Sequence, residues 1–342
     1  MKKTIVVILN WNGIEYLKMF LGRVVELSVD DLTEICVADN GSTDGSADWV
    51  AENFSSVKLI RFEQNWGFAE GYNLAIDKLE AEYFVLLNSD IEVTEGWLHP
   101  LVRYMDENPD SASCQPKILS RERRDYFEHA GAAGGFIDKF GYPFCRGRIL
   151  NIAEKDEGQY DNQVEVFWSS GACMIIRSEA WKKCGGFDGA FFAHMEEIDL
   201  CWRLHKAGYC VGFTAESKVY HIGGGSLNYN SPFKIFLNFR NSLFMLYKNL
   251  DDDNLLYILF MRRILDGMAA VMFLLSGRFS YFNSVLRAHI QYYKCKGDLK
   301  LKRQRVKELG DCGSEGLILN KSVVIEFYIK GNKTYNRLKR DN

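Results

Sequence analysis

Four polar clusters in the chain carry the residue types that catalysis needs. Asn88-Ser89-Asp90 ends the apolar run Tyr83–Leu87, and a carboxylate exposed at the end of a buried strand suits a hard divalent cation that keeps positions open for phosphate oxygens. A plain helix-start acid before Thr94 is the other reading of Asp90. Val37-Ala38-Asp39 runs into Asn40-Gly41-Ser42-Thr43-Asp44-Gly45-Ser46. There Asp39 can accept from a base N–H while Ser42 or Asp44 caps the next helix, unless the segment is an ordinary capped turn. Glu196, Glu197 and Asp199 fall where a helix begins, at a spacing that cannot put all three on one buried face, so at least one points at a site. Alternatively, the three complement the helix dipole, with Asp199 paired to Arg203 at i+4. His221 precedes Ile222-Gly223-Gly224-Gly225-Ser226; a neutral imidazole completes a metal's coordination and glycine-rich backbone holds a diphosphate, whereas a lone histidine is otherwise structural. Arg240, in Phe239-Arg240-Asn241-Ser242, reads equally as a phosphate clamp and as an ion-paired core residue. Trp11 and Trp66 lie on ligand-facing loops and can stack on a base or sugar, while His194 is read as a loop residue.

The elements that position these clusters alternate. Strands are expected at Thr4–Leu9, Glu34–Ala38, Val57–Phe62 and Tyr83–Leu87, with helices at Tyr16–Leu27, from Ser46, at Ala69–Leu79 and at Gly96–Glu107. A βαβα order with right-handed crossovers makes an open, mostly parallel sheet, and ligands bind beyond the carboxyl ends of its strands, where Asn10-Trp11-Asn12-Gly13, Asp39–Ser42 and Asn88–Asp90 fall. From Ile118 to Val166 the chain turns glycine-rich and reads as a long, partly mobile excursion over the site. Strands near Val164–Trp168, Ala172–Arg177, Tyr209–Thr214 and Ser217–Tyr220 then return to the sheet, and from Pro232 to about Lys296 the pattern is helical. Neither G-x-G-x-x-G nor G-x-x-x-x-G-K-[ST] follows the first strand, which excludes the usual dinucleotide and P-loop cradles.

At 342 residues, 47% hydrophobic and with a net charge of −3, the chain supports two domains or one large domain with an appendage and lacks the strong positive charge of a nucleic-acid binder. Nine scattered cysteines without a C-x-x-C pair point to reduced, cytosolic thiols. The apolar run Ile5–Leu9 is too short for a signal peptide. Residues 262–342 carry a net +10, leaving −13 for the rest. Leu255–Leu275 is nearly long enough to span a bilayer, but Arg262, Arg263 and Asp266 interrupt it, each costing about 2.5–3.5 kcal/mol near a membrane centre. An interfacial helix beside basic residues (Lys300, Lys302, Arg303, Arg305, Lys307, Lys333, Arg337, Lys339, Arg340) is expected instead, docking on an anionic leaflet; ordinary core helices with a solvated basic face are the alternative.

The opening VVILNWNG, the run VADNGSTDGS, the segment Asn65-Trp66-Gly67-Phe68-Ala69-Glu70-Gly71-Tyr72-Asn73 and LLNSD resemble the family 2 inverting glycosyltransferases of GT-A fold. Within that family they are most similar to rhamnosyltransferase-type members that build bacterial surface polysaccharides, and the likeness runs in order from Ile5 to about Lys248. It implies an α/β fold with a Rossmann-like mixed sheet. The expected organisation is a GT-A domain over 1–230 (nucleotide-sugar half 1–118, acceptor half 119–230) and a helical, possibly membrane-associating C-terminal extension over 231–342. By this resemblance Asp39 contacts the base; Asn65, Gly67 and Asn73 line the nucleotide-sugar pocket, with Asn10, Asn12, Asn88, Ser89, Gly223 and Gly224 completing it. Asp90 ends a degenerate DxD motif whose first position is Asn88, and holds Mg²⁺ or Mn²⁺ together with His221. The segment Glu196–Arg203 resembles E-D-x-D-L-x-W-R, whose second acid is the general base; here that is Glu197, a Glu where Asp is usual, with Asp199 as the fallback and Glu196, Trp168 and Gly171 on the acceptor side. The implied donor is a dTDP- or UDP-sugar, rhamnose favoured, and the implied acceptor a saccharide on a lipid carrier, handled at the inner face of the cell membrane. A non-catalytic nucleotide-sugar-binding subunit of a polysaccharide assembly complex is the alternative.

Overall fold

A computed structural model of the chain describes residues 2–223, 231–310 and 316–339. The first part alternates as expected: β1 (Lys2–Asn10), α1 (Ile14–Ser28), β2 (Thr33–Asp39), α2 (Ser46–Asn53), β3 (Lys58–Arg61), α3 (Gly67–Ile76), β4 (Ala81–Asn88), β5 (Ile91–Val93), α4 (Leu98–Glu107) and β6 (Ser111–Ser120). The excursion that follows is not a loose cover. It folds into β7 (Gly135–Asp138), β8 (Pro143–Cys145), β9 (Arg148–Ile149) and β10 (Ile152–Ala153), because Phe136, Ile137, Phe144 and Ile149 bury their side chains in the main core. The chain then returns through β11 (Val164–Glu165), β12 (Cys173–Arg177), α5 (Ser178–Cys184), α6 (Glu196–Lys206) and β13 (Cys210–His221). One long strand thus replaces the two expected before His221, with an irregularity in register between Thr214 and Lys218.

The main sheet runs β11-β13-β6-β12-β4-β1-β2-β3, with β5 paired to β13. Strands β1 to β4 are parallel, and β12 lies antiparallel between β4 and β6. Alternate residues of β1 feed opposite faces, Ile5 and Val7 one core cluster and Val6 and Ile8 the other, as a strand covered on both sides requires. Register sets Asn10 opposite Asp39 and Leu9 opposite Asn88, so the polar clusters emerge together where strand order reverses around β1 and β4.

The C-terminal part comprises α7 (Pro232–Asn249), α8 (Asp252–Leu275), α9 (Phe279–Lys294), α10 (Lys296–Glu308), β14 (Ile318–Leu319), α11 (Val323–Tyr328) and α12 (Tyr335–Lys339). It is stitched to what precedes it. β14 adds to β7 in parallel, Val323 N–H donates to Asp138, Tyr335 N–H donates to Glu154, and the Tyr335 ring packs on Phe136 and Phe144. Among the described residues no helix is long and apolar enough to cross a membrane. In α8, Arg262 and Asp266 point inward and pair with each other at 3.3 Å, while Leu256, Phe260, Met268, Met272 and Leu275 are 55–82% exposed. Two of the three charges that break the hydrophobic run are therefore buried, Arg263 stays exposed, and an apolar face looks outward beside it.

Candidate active site

The carboxyl ends of β1 and β4, the start of α6 and the first turns of α7 enclose a cavity of about 600 Å³. It brings together Asn65, Gly67, Asn88, Asp90, Trp168, Gly171, Glu196, Glu197 and His221.

One end of the cavity rests on a hydrogen-bonded platform. Asp39 is 3% exposed, and its carboxylate accepts from Ser42 N–H (3.0 Å), Ser46 Oγ (3.2 Å) and Asn10 Nδ2 (3.3 Å). A carboxylate has about four acceptor sites, so one remains. Asn12, at φ +50°, accepts from Thr43 N–H, and Asp44 bonds both Ile14 N–H and Ser46 N–H, so one side chain serves the starts of two helices. Asn40 ties Asn65, Trp66 N–H and the Gly67 carbonyl to this platform. Trp11 and Trp66 stand 41% and 42% exposed, and Trp11 borders the cavity. Neither Asn10, Asn12, Asp39 nor Ser89 borders it. Asn73, expected to line the pocket, instead pins Phe187 through both its amide groups, because α3 turns that side chain toward the segment after α5. Gly223 follows His221 at φ +76°, and Gly224 lies outside the described residues, as do Gly225, Ser226 and Arg340.

Asp90 and His221 meet at the cavity wall. His221 Nε2 lies 3.1 Å from Asp90 Oδ1, and its Nδ1 lies 3.0 Å from Glu128 Oε2. Burial alone would lower the His221 pKa, but the two flanking carboxylates outweigh it and push it up to about 10. Burial would likewise raise Glu128, and the His221 charge and hydrogen bond reverse that, to about 2. Between these carboxylates the ring carries both protons, whereas the sequence reading assumes a neutral imidazole; coordination through Nε2 requires that proton to leave. Among the described residues no group of three or more His, Cys, Asp or Glu is arranged to hold a metal. The Asp90–His221 pair nevertheless fits one. Two donors bonded at right angles to an octahedral ion at about 2.1 Å stand about 3.0 Å apart, and an oxygen with an imidazole suits Mn²⁺ or Mg²⁺, with Glu128 orienting the ring.

The acids of α6 divide. Glu196 and Glu197 border the cavity, and each has a buried Oε2 without a hydrogen-bond partner. Burial, with Glu197 alongside, lifts Glu196 well above the carboxylate range. Burial also raises Glu197, but backbone hydrogen bonds at the helix start restrain it to about 7. Two adjacent carboxyls are thus pushed apart, one neutral and one poised to take a proton near neutrality. Asp199 does not reach the cavity. It is fully buried, bound by Arg203 (3.0 Å), Lys248 (2.9 Å) and Asn249 (2.8 Å), which removes it as a fallback base.

The segment entering α6 is strained: Phe192, His194 and Met195 have φ of +65°, +70° and +73°, a conformation that costs of order 1–3 kcal/mol per residue and persists only where neighbours enforce it. Asn241 Nδ2 lies 2.8–2.9 Å from the carbonyls of Phe191, Ala193 and His194. Arg240 donates to Asn241 Oδ1 and to the carbonyls of Ala190 and Phe191, does not border the cavity, and among the described residues pairs with no acid, so it matches neither a phosphate clamp nor an ion-paired core residue as the sequence offers them. Gly67 is required here because a Cβ would come within 2.5 Å of the Phe192 ring. Glu128, His129, Arg148, Phe192, His194 and Lys234 also shape the site, and the sequence reading assigns none of them to it: Glu128-His129, Arg148 and Lys234 stand in no recognisable motif, and His194 reads as a loop residue before the acids of α6.

The profile of the family described as Glycosyl transferase family 2 matches residues 5–184, and the chain belongs to that family. It is a glycosyltransferase. Over 221 residues it is 26% identical to an N-acetylglucosaminyl-diphospho-decaprenol L-rhamnosyltransferase of Mycobacterium tuberculosis, covering 60% of this chain and 71% of that protein. It is 23% identical to the low-salt glycan biosynthesis hexosyltransferase Agl10 of Haloferax volcanii, covering 69% and 73%. Two solved structures share the GT-A fold. One is S. aureus TarS 1–349 in complex with UDP-GlcNAc (TM-score 0.53, 17% identity, 90% of this chain and 84% of that one). The other is GalNAc-T7 with UDP, GalNAc and Mn²⁺ (TM-score 0.57, 16% identity, 74% of this chain and 49% of that one).

Proposed function

We propose that the protein is an inverting glycosyltransferase that moves a sugar, rhamnose favoured, from a dTDP- or UDP-linked donor to a hydroxyl of a saccharide on a lipid carrier. The observation that carries this reading is a single cavity bordered by a carboxyl with a pKa near 7, Glu197, and by the oxygen–nitrogen pair Asp90–His221. Asp39, which lies beyond the cavity's lining but keeps one acceptor site, is the residue assigned to the base, and the half-exposed Trp11 and Trp66 are candidates to stack on it. Asn65 and Asn88 face the sugar and phosphates. Asp90 and His221 would hold Mn²⁺ or Mg²⁺, which offsets charge on the departing diphosphate when bound. Glu197 accepts the acceptor hydroxyl's proton as that oxygen forms its bond to the anomeric carbon opposite the leaving nucleoside diphosphate. The bond from that carbon to the phosphate oxygen breaks in the same displacement, which inverts configuration. A nucleoside diphosphate leaves without protonation, so no second acid is needed. Glu196, Trp168 and Gly171 contact the acceptor.

The names of the M. tuberculosis relative, which include an L-rhamnosyl group and a diphospho-decaprenol, support the choice of donor sugar and acceptor class. The exposed apolar face of α8, with a net +10 over residues 262–342, supports attachment to the inner face of the cell membrane. Thermal-shift titration against dTDP, UDP, GDP and their sugars with and without Mn²⁺ tests the donor site: metal-dependent stabilisation by one nucleotide is expected, about 2.7 kcal/mol at 100 times Kd. No response to any of them removes the reading. Asn88, in place of an acid, favours a binding subunit without catalysis as the second reading; that subunit would bind donor and be indifferent to loss of Glu197.

A further inference from the structure

We propose that Arg148 and Lys234 form a phosphate-binding subsite in the wall of the active-site cavity, a site that rests on the transferase reading and extends it. The two cations come from unconnected elements, β9 and the first turn of α7, and both border the cavity. Arg148 donates from NH1 to the His129 carbonyl, and its Nε is buried without a hydrogen-bond partner. Among the described residues no carboxylate pairs with Arg148. A guanidinium half-engaged at its tip keeps N–H groups for a planar oxyanion, and an ammonium beside it adds a point charge.

The surroundings agree. His129 and His194 border the same cavity and are both held below the ordinary imidazole range. Burial is the larger cause for each, followed by Arg148 for His129 and Lys234 for His194. Lys234 is itself lowered by burial, with Glu128 opposing that shift. The Glu128 charge is shared with His221 at 3.0 Å. Among the described residues this corner of the cavity thus gathers two imidazoles shifted toward the neutral form and two cations, Arg148 and Lys234, for which an anion is a fitting ligand. Arg240, which the sequence offers equally as a phosphate clamp and as an ion-paired core residue, donates to backbone carbonyls and does not border the cavity. The oxyanion is a phosphate of the donor diphosphate or of a phosphorylated acceptor.

Calorimetric titration of the full chain and its R148M, R148K and K234M variants with inorganic pyrophosphate, dTDP, UDP, their nucleosides and a short prenyl diphosphate tests the subsite. Pyrophosphate affinity should fall at least tenfold in R148M and in K234M, with R148K between wild type and R148M. A matching fall for dTDP or UDP, with nucleoside affinity unchanged, assigns the site to the donor. A fall confined to the prenyl diphosphate, measured with nucleotide saturating, assigns it to the acceptor. Pyrophosphate, nucleotides and prenyl diphosphate all within twofold of wild type in both methionine variants would overturn the subsite and leave the transferase reading standing. A wild type that binds neither pyrophosphate nor any nucleotide overturns both.

Discussion

Asp90 Oδ1 and His221 Nε2 stand 3.1 Å apart although 131 residues separate them in the chain. The short strand β5 pairs Ile91 with His221, and Ile222 N–H donates to the Asp90 carbonyl, so backbone pairing fixes the distance before any side chain chooses a rotamer. Replacing either residue should remove metal-assisted nucleotide binding: D90N and H221A are expected to lower Mn²⁺ affinity in the presence of UDP or dTDP, read by Mn²⁺ electron paramagnetic resonance. Glu128→Gln, which keeps the shape but loosens the ring, should cost about 10–100-fold, as second partners of metal-binding histidines do. Unchanged Mn²⁺ binding in H221A removes the pair from the metal's account.

The Glu197 carboxyl, raised to about 7 by burial, makes a pH prediction. Below that value the base is protonated and idle, and above it the base is ionised. The wild-type kcat/KM should therefore rise with pH by one proton through about 7 and then level. A profile already flat from pH 5 to 8 excludes a carboxyl of this pKa as the base.

Asn241 holds the strained segment before α6 through three carbonyls. Asn241→Leu takes this donor from the Ala193 and His194 carbonyls, while Phe191 keeps Arg240, at an expected cost of about 2–3 kcal/mol in denaturant unfolding. Because Glu197 follows that segment directly, kcat should fall roughly 10–100-fold with smaller change in donor affinity, since small misplacements carry such penalties. Equal loss of kcat and of donor binding would point to general unfolding instead.

Lys248 bridges Asp188 (2.7 Å) and Asp199 (2.9 Å), all three nearly inaccessible. Lys248→Met should destabilise by about 3–5 kcal/mol, because two buried carboxylates lose a shared cation. Burial pushes Asp188 upward, but Lys248 and Lys302 hold it well below the usual carboxylate range. Its contribution is thus complete above about pH 4 and is lost as the pH falls further. Melting temperatures from pH 2 to 6 should drop steeply in wild type and less steeply in the variant.

The first half of the fold was legible because its strands are continuous apolar runs that end in polar residues, as in Tyr83–Leu87 before Asn88. The acids of α6 were legible as a cluster only. Which of them faces the cavity depends on Lys248 and Asn249, about 50 residues on, which claim Asp199. Asn73 misled for the same reason, its partner Phe187 lying 114 residues away. Glu128 and Arg148 gave no signal, since they occur in a glycine-rich stretch whose sheet is completed by β14 from the far end of the chain. In α8 the sequence showed charges interrupting a hydrophobic run, but not that Arg262 and Asp266 would turn inward onto Tyr142 and His289.

That outward apolar face predicts membrane docking. The full chain should sediment with vesicles containing anionic lipid at low salt and less so at about 500 mM salt, as charge screening requires. Phe260→Glu with Met268→Glu should weaken binding at least tenfold without changing nucleotide affinity. Binding that ignores both substitutions places the docking surface elsewhere.

The central claim, that Glu197 deprotonates an acceptor hydroxyl opposite a nucleotide-sugar bound beside Asp90 and His221, is tested most directly by Glu197→Gln. Donor binding should stay within about threefold of wild type while transfer falls by about 10²–10⁴-fold, the range for loss of a general base. Transfer at the wild-type rate, with donor still bound, would contradict it.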